Sequence, residues 1–163
     1  ILKKISSLKS DISSQLASEA CLSAKELVSQ IDRRFKRLSE IDIKEDPELH
    51  KFLSGQFKPV FDEVKKKINK NWKLPWLYDK DLIKEFQTLS PSDFGFHNAI
   101  YVNNNKIIYI DFEYFGWDDP VKLLADTMQH PGINLDASAR KLFFEKTLTI
   151  FGQDPEYLTR LKI

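Results

Sequence analysis

A single cysteine, Cys21, in 163 residues leaves nothing for a disulfide framework or a cysteine-rich zinc site. That scarcity fits a reducing, cytoplasmic setting, with Cys21 itself expected as a small buried residue on a helix. No apolar run approaches the ~20 residues that cross a bilayer, and the start shows no signal-peptide pattern, so no membrane partner is expected. Excess charge of either sign is missing too. The 25 Lys and Arg against 24 Asp and Glu give a net charge of +1, which excludes a global pull toward nucleic acid or anionic lipid. Glycine is scarce, and there is no glycine-rich linker, internal repeat or low-complexity tract. With 42% hydrophobic and 30% charged residues, what remains reads as an ordinary globular chain, residues 1–163 forming a single domain with one core. Because it begins at Ile1 and Asp154-Pro155-Glu156 opens a helix shortly before Ile163, it is expected to be part of a longer protein.

Helical signals dominate. Ser23-Ala24-Lys25-Glu26 has the form of a capping box, and Leu27, Ile31, Phe35 and Leu38 follow at helical spacing on one face. Asp46-Pro47-Glu48 marks a second start; Gly55 and Pro59 should break or kink that helix before a stripe of Val60, Phe61, Val64 and Ile68 that ends near Asn71. Opposite the stripe, Lys65, Lys66, Lys67, Lys70 and Lys73 read as a solvated face rather than a nucleic-acid surface. Trp72, Trp76 and Tyr78 around Pro75 read as aromatics covering a core edge. Asp119-Pro120 starts a third helix with Leu124, Ala125 and Met128 inward, ended by Pro131-Gly132. Asp136 caps a fourth, with Leu142, Phe143 and Leu148 on its apolar side and Gly152 at its close.

One strand signal is clear: Ala99-Ile100-Tyr101-Val102 and Ile107-Ile108-Tyr109-Ile110 around the turn Asn103-Asn104-Asn105-Lys106 predict a hairpin. Both of its faces are mostly apolar, so it is expected in the interior, covered by helices. If Val102 pairs with Ile107, then Ala99 pairs with Ile110, and Asn98 and Asp111 stand opposite each other with Cβ atoms about 5 Å apart. An amide oxygen and a carboxylate at that separation can share one Mg²⁺, which takes hard oxygens at ~2 Å. Asp93, five residues before Asn98, lies near the same mouth, placed to accept a proton from a substrate hydroxyl. Plainer roles exist for each: turn former for Asp93, strand-start cap for Asn98. Glu113 is either a helper at the metal or a residue that solvates its loop. His97 is expected to support rather than react, and His50 and His130 to be surface helix residues.

The pattern D-x-x-x-x-N from Asp93 to Asn98, a short hairpin and then Ile110-Asp111-Phe112 resembles the catalytic and metal-binding loops of the protein-kinase-like phosphotransferases. It is most similar to the aminoglycoside phosphotransferase and choline kinase group, over Asp93 to Pro120. The resemblance implies a mostly helical α+β C-terminal lobe in which a buried hairpin carries the site. It also implies that Asp93 is the catalytic base, that Asn98 binds metal and nucleotide, and that Asp111 bridges Mg²⁺ to the phosphates of ATP. Gly116 and Asp119-Pro120 match the family's G-x-x-D-P continuation. Pro91, His97 and Leu123 depart from it, standing where the family usually has His, Gly and Asp, and Asp126, one turn past Leu123, is a candidate replacement.

No glycine-rich loop between strands and no lysine of the V-A-I-K kind occurs in these residues. The N-terminal lobe that clamps the nucleotide is therefore expected upstream as a partner, and the chain alone is expected to fold without turning over. The activity implied is ATP-dependent phosphoryl transfer to the hydroxyl of a small-molecule acceptor. Its rivals are a non-catalytic kinase-like module for binding or regulation and a plain helical interaction domain.

Overall fold

Ser23 starts the first helix as its capping box requires: the Ser23 side chain accepts the Glu26 N–H at 3.3 Å, and α1 runs over Ala24–Ser39. The structure is a computed structural model that describes residues 15–71, 78–93, 95–102 and 106–162, and of 69–71 the backbone alone. These form an α+β protein, mostly helical, with two small antiparallel sheets. They divide into two compact units, Leu22–Asp81 and the residues up to Cys21 together with Leu82–Lys162. No helix among the described residues is long and apolar enough to cross a membrane.

In the first unit Asp46 caps α2 (Pro47–Phe52) by accepting the Leu49 N–H at 2.9 Å. The expected break or kink at Gly55 and Pro59 takes the form of a π turn, Leu53–Phe57, that runs straight into α3 (Lys58–Asn71). A proline ring clashes with the carbonyl four residues back and brings no N–H of its own, and a widened turn just ahead of Pro59 accommodates both demands. Val28, Phe61 and Ile68 form the core here, with Ile31, Phe57 and Tyr78 packed against it. The buried face of α1 thus turns on Val28, while Leu27 and Leu38 are exposed, as are Val60 and Val64 on α3. Lys65 pairs with Asp32 and Asp62, and Lys67 with Glu63, so this part of the lysine run is a solvated, ion-paired face. Trp72, Pro75, Trp76, Lys73 and the side chain of Lys70 lie outside the described residues.

The second unit is organised by strands too short for period-two alternation to reveal. β1 (Thr88–Ser90) pairs antiparallel with β4 (Gly116–Asp118), placing Leu89 opposite Trp117. On the other edge of β4, Trp117 N–H donates to the Gln15 carbonyl and Ala17 N–H to the Trp117 carbonyl, both at 3.0 Å. Gly116 is what lets that segment in: a Cβ there would lie 2.3 Å from the Leu16 carbonyl carbon. Cys21 is buried but precedes α1 rather than lying on a helix, and its N–H donates to Asp118 Oδ1 at 2.9 Å.

Between β1 and β4 in chain order comes the hairpin, a separate sheet of β2 (Ala99–Val102) with β3 (Lys106–Tyr109). Its turn, Asn103–Asn105, is outside the described residues. Two expectations about it are corrected. Ala99 pairs with Tyr109 and Val102 with Lys106, one residue off the expected register. It is also not interior: Ile100, Tyr101, Val102, Ile107 and Ile108 are all exposed.

Asp119 caps α4 (Pro120–Gln129), which buries Leu123, Leu124 and Thr127 rather than Ala125 and Met128. α5 (Ala137–Phe151) begins at Asp136 and closes at Gly152 as expected, although Leu142 is exposed. α6 (Tyr157–Leu161) returns Arg160 to the start of α4, where its guanidinium bonds both Asp119 oxygens, at 2.8 and 3.1 Å, and lies 2.7 Å from Asp154.

Candidate functional site

Asp93 is presented by a strained turn directly after β1. Its N–H donates to the Pro91 carbonyl at 2.8 Å across Ser92, whose φ is 64°. A three-residue turn with positive φ at a non-glycine centre is uncommon and costs energy, so something must hold it. Ser92 N–H donates to Ser90 Oγ at 3.1 Å, and the Ser92 hydroxyl donates to the Ser18 carbonyl at 2.8 Å. Among the described residues the other non-glycine positions with positive φ are Glu19 and Asp111. Strain therefore falls on both candidate loops.

A 3₁₀ turn, Phe96–Asn98, then brings Asn98 back onto Asp93. The buried Asn98 amide donates to the Asp93 backbone carbonyl at 3.1 Å and to its Oδ2 at 3.3 Å. With the nitrogen committed inward, Oδ1 is the atom Asn98 has to offer a ligand. Two residues of the D-x-x-x-x-N pattern are thus in direct contact.

Asp111 lies just beyond β3, exposed, with φ 64°. The Ile110 N–H donates to the Asn98 carbonyl at 2.9 Å, so Ile110, not Asp111, stands across from Asn98. The expected face-to-face pairing of Asn98 and Asp111 is therefore corrected by one residue. The Tyr114 hydroxyl is shifted upward, by Glu113 first and more weakly by the charges of Asp111 and Asp93.

Two histidines converge on Asp93. His97 Nε2 is 3.1 Å from Asp93 Oδ1, and His130 Nε2, at the end of α4, is 3.5 Å from the same oxygen. Their rings stack, with centroids 4.8 Å apart and planes 11° from parallel. Gly95 and Gly132 leave room for them, since a Cβ at either would crowd the His97 or His130 ring. The hydrogen bond from His97 is the main cause of an Asp93 carboxyl held below its ordinary value, and burial only partly opposes it. His97 thus supports Asp93 as expected, whereas His130 is no plain surface residue. Nothing in its spacing flags this, because the contact is made by the chain folding back 37 residues later.

Among the departures from the family pattern, Leu123 is buried in the core. Asp126 does not replace the missing support: it is exposed and paired with Lys122 at 2.5 Å. The interior carboxylates near that helix are Asp118 and Asp119, bound to backbone N–H groups and to Arg160. No family model, curated protein or solved structure matches the chain.

Proposed function

We propose that this chain carries the catalytic half of an ATP-dependent phosphotransferase acting on the hydroxyl of a small molecule. The observation that carries the reading is the Asn98 amide bonded to the Asp93 carbonyl and carboxylate at 3.1 and 3.3 Å. It fixes a carboxylate and leaves an amide oxygen beside it. Asp93, held below its ordinary range, is ionised at neutral pH and accepts the proton of an incoming hydroxyl. A weak base suffices, because phosphoryl transfer depends mainly on positioning and on charge stabilisation.

Asn98 Oδ1 and the Asp111 carboxylate are hard oxygens of the kind Mg²⁺ prefers, and these two residues would hold it. Bound there, Mg²⁺ supplies positive charge to the phosphates of ATP. The cover over those phosphates would come from a nucleotide-clamping lobe, and the exposed apolar ribbon of β2 and β3 is a surface such a lobe can bury. The same ribbon favours a second reading, a kinase-like module that binds a partner without turnover. The two are separated by assaying Mg²⁺-dependent ATP consumption by the full-length protein against a panel of hydroxyl acceptors. Turnover sustains the first reading; tight partner binding with no turnover on any acceptor favours the second.

A further inference from the structure

We infer that Asp93, His97 and His130 form a binding site for a borderline transition-metal dication of the Zn²⁺ class, chemically separate from the oxygen ligands of Asn98 and Asp111. The three donor atoms, Asp93 Oδ1, His97 Nε2 and His130 Nε2, all lie within 4.8 Å of one another. Zinc bonds of ~2.0–2.1 Å to nitrogen and oxygen put neighbouring ligands of a tetrahedron ~3.3 Å apart. The two nitrogen-to-oxygen distances, 3.1 and 3.5 Å, bracket that edge. The nitrogen-to-nitrogen edge closes only when one imidazole turns out of the stack, because two nearly parallel ring planes cannot both contain the ion. Two imidazoles and one carboxylate select Zn²⁺, Co²⁺ or Ni²⁺ over Mg²⁺, which demands oxygen. All three side chains are partly exposed, so a fourth position stays open to water.

Two hydrogen bonds must change: the His97 Nε2–H that donates to Asp93 Oδ1 gives way to the metal, with the ring hydrogen then on Nδ1, and the contact between Gly132 and His130 shifts as well. Gly132 N–H donates to His130 Nδ1 at 3.0 Å, which places the ring proton on Nε2. Metal on Nε2 displaces that proton, and the neutral ring then carries its hydrogen on Nδ1, facing the Gly132 N–H. Gly132 is exposed, so its N–H turns to water at small cost. Binding therefore includes a local rearrangement at residues 130–132. Under the phosphotransfer reading the ion occupies the oxygen that accepts the substrate proton, which makes Zn²⁺ an inhibitor there. The site itself rests on geometry alone.

The test is a Co²⁺ titration of the tag-free protein followed by visible absorption. The expected result is the intense band of tetrahedral Co²⁺ at one equivalent, erased by one equivalent of Zn²⁺ and unaffected by millimolar Mg²⁺. His97→Ala and His130→Ala should each weaken binding by at least ~10²-fold, the upper end of what losing even an outer-shell partner costs. His50→Ala should leave it unchanged, since His50 is engaged 2.6 Å from the Ile41 carbonyl. Thermal melts confirm that each variant is folded, and His97→Asn and His130→Asn serve if an alanine variant is not. Only the pale aquo-ion spectrum in the parent protein, or unaltered binding in the His97→Ala/His130→Ala pair, overturns the assignment. Because metal binding is read directly, failure here and failure of phosphotransfer are separate results.

Discussion

The Ile110 N–H donates to the Asn98 carbonyl at 2.9 Å, and this single bond sets the register of the candidate site. It places Asp111 one step past the ladder, in a left-handed conformation with φ 64°. Such a conformation costs a non-glycine residue ~1 kcal/mol, less for Asp than for most, and is kept where it serves a purpose. Asp111→Gly should therefore leave the melting temperature unchanged or raise it, and Asp111→Ala should lower it slightly. Both should abolish Mg²⁺-dependent nucleotide binding by the full-length protein. Retention of that binding in Asp111→Gly would remove Asp111 from the metal site.

Arg160 joins α6 to the start of α4 through Asp119 and Asp154, with only 14% of its side chain exposed. Removing one partner of a buried ionic cluster strands the others. Arg160→Ala should cost about 3–5 kcal/mol in denaturant unfolding, and Arg160→Lys less, because an ammonium cannot reproduce the two-pronged contact with Asp119. A loss under about 1 kcal/mol for the alanine variant would show that water relieves both carboxylates.

Asp118 is the interior carboxylate with a pH signature. Burial raises it above its ordinary value, against the opposing pull of Lys122 and of the Cys21 and Asp119 N–H groups. The folded state therefore holds this proton more tightly than the unfolded chain does. Its contribution to stability is complete below the unfolded value of ~4 and declines as pH rises through the interval above it. Asp118→Asn keeps an acceptor for the two N–H groups and removes the titration. Stability measured against pH should be flatter just above ~4 for the variant than for the parent, and identical slopes would contradict the assignment.

Two glycines should respond in opposite directions. At Gly116 an added Cβ meets the Leu16 and Ala17 backbone, which cannot step aside, so Gly116→Ala should destabilise by roughly 1–3 kcal/mol. At Gly55 nothing lies within 4 Å, so Gly55→Ala should stabilise by about 0.5–1 kcal/mol. Chemical denaturation of the two variants side by side checks both. Stabilisation by Gly116→Ala would mean that the 15–18 segment does not pair with β4.

The helix starts were legible because each is written locally: Ser23, Asp46, Asp119 and Asp136 all accept the N–H that their cap positions require. Which helix face is buried was less legible, since Leu27, Val60 and Leu142 satisfy helical spacing yet are exposed, and only tertiary packing selects among apolar positions. β1 and β4 escaped because three residues carry no period, and the approach of 15–18 to Gly116 is a long-range contact. The hairpin was readable, but its register was not: the turn length decides it, and one residue more or less exchanges the faces. In the candidate site, the spacing from Asp93 to Asn98 keeps both on one loop, while their direct contact is made by the 3₁₀ turn Phe96–Asn98. The approach of His130 to Asp93 depends on how α4 ends, which no local pattern encodes.

The most direct measurement of the central claim is Mg²⁺-dependent transfer of the labelled γ-phosphoryl group of ATP to a panel of small hydroxyl acceptors, by the full-length protein and its Asp93→Asn variant. Transfer to at least one acceptor is expected, reduced roughly 10²- to 10⁴-fold in the variant with nucleotide binding nearly unchanged, the usual worth of a positioned general base. Full activity in Asp93→Asn, or no Mg²⁺-nucleotide binding by either protein, would contradict it.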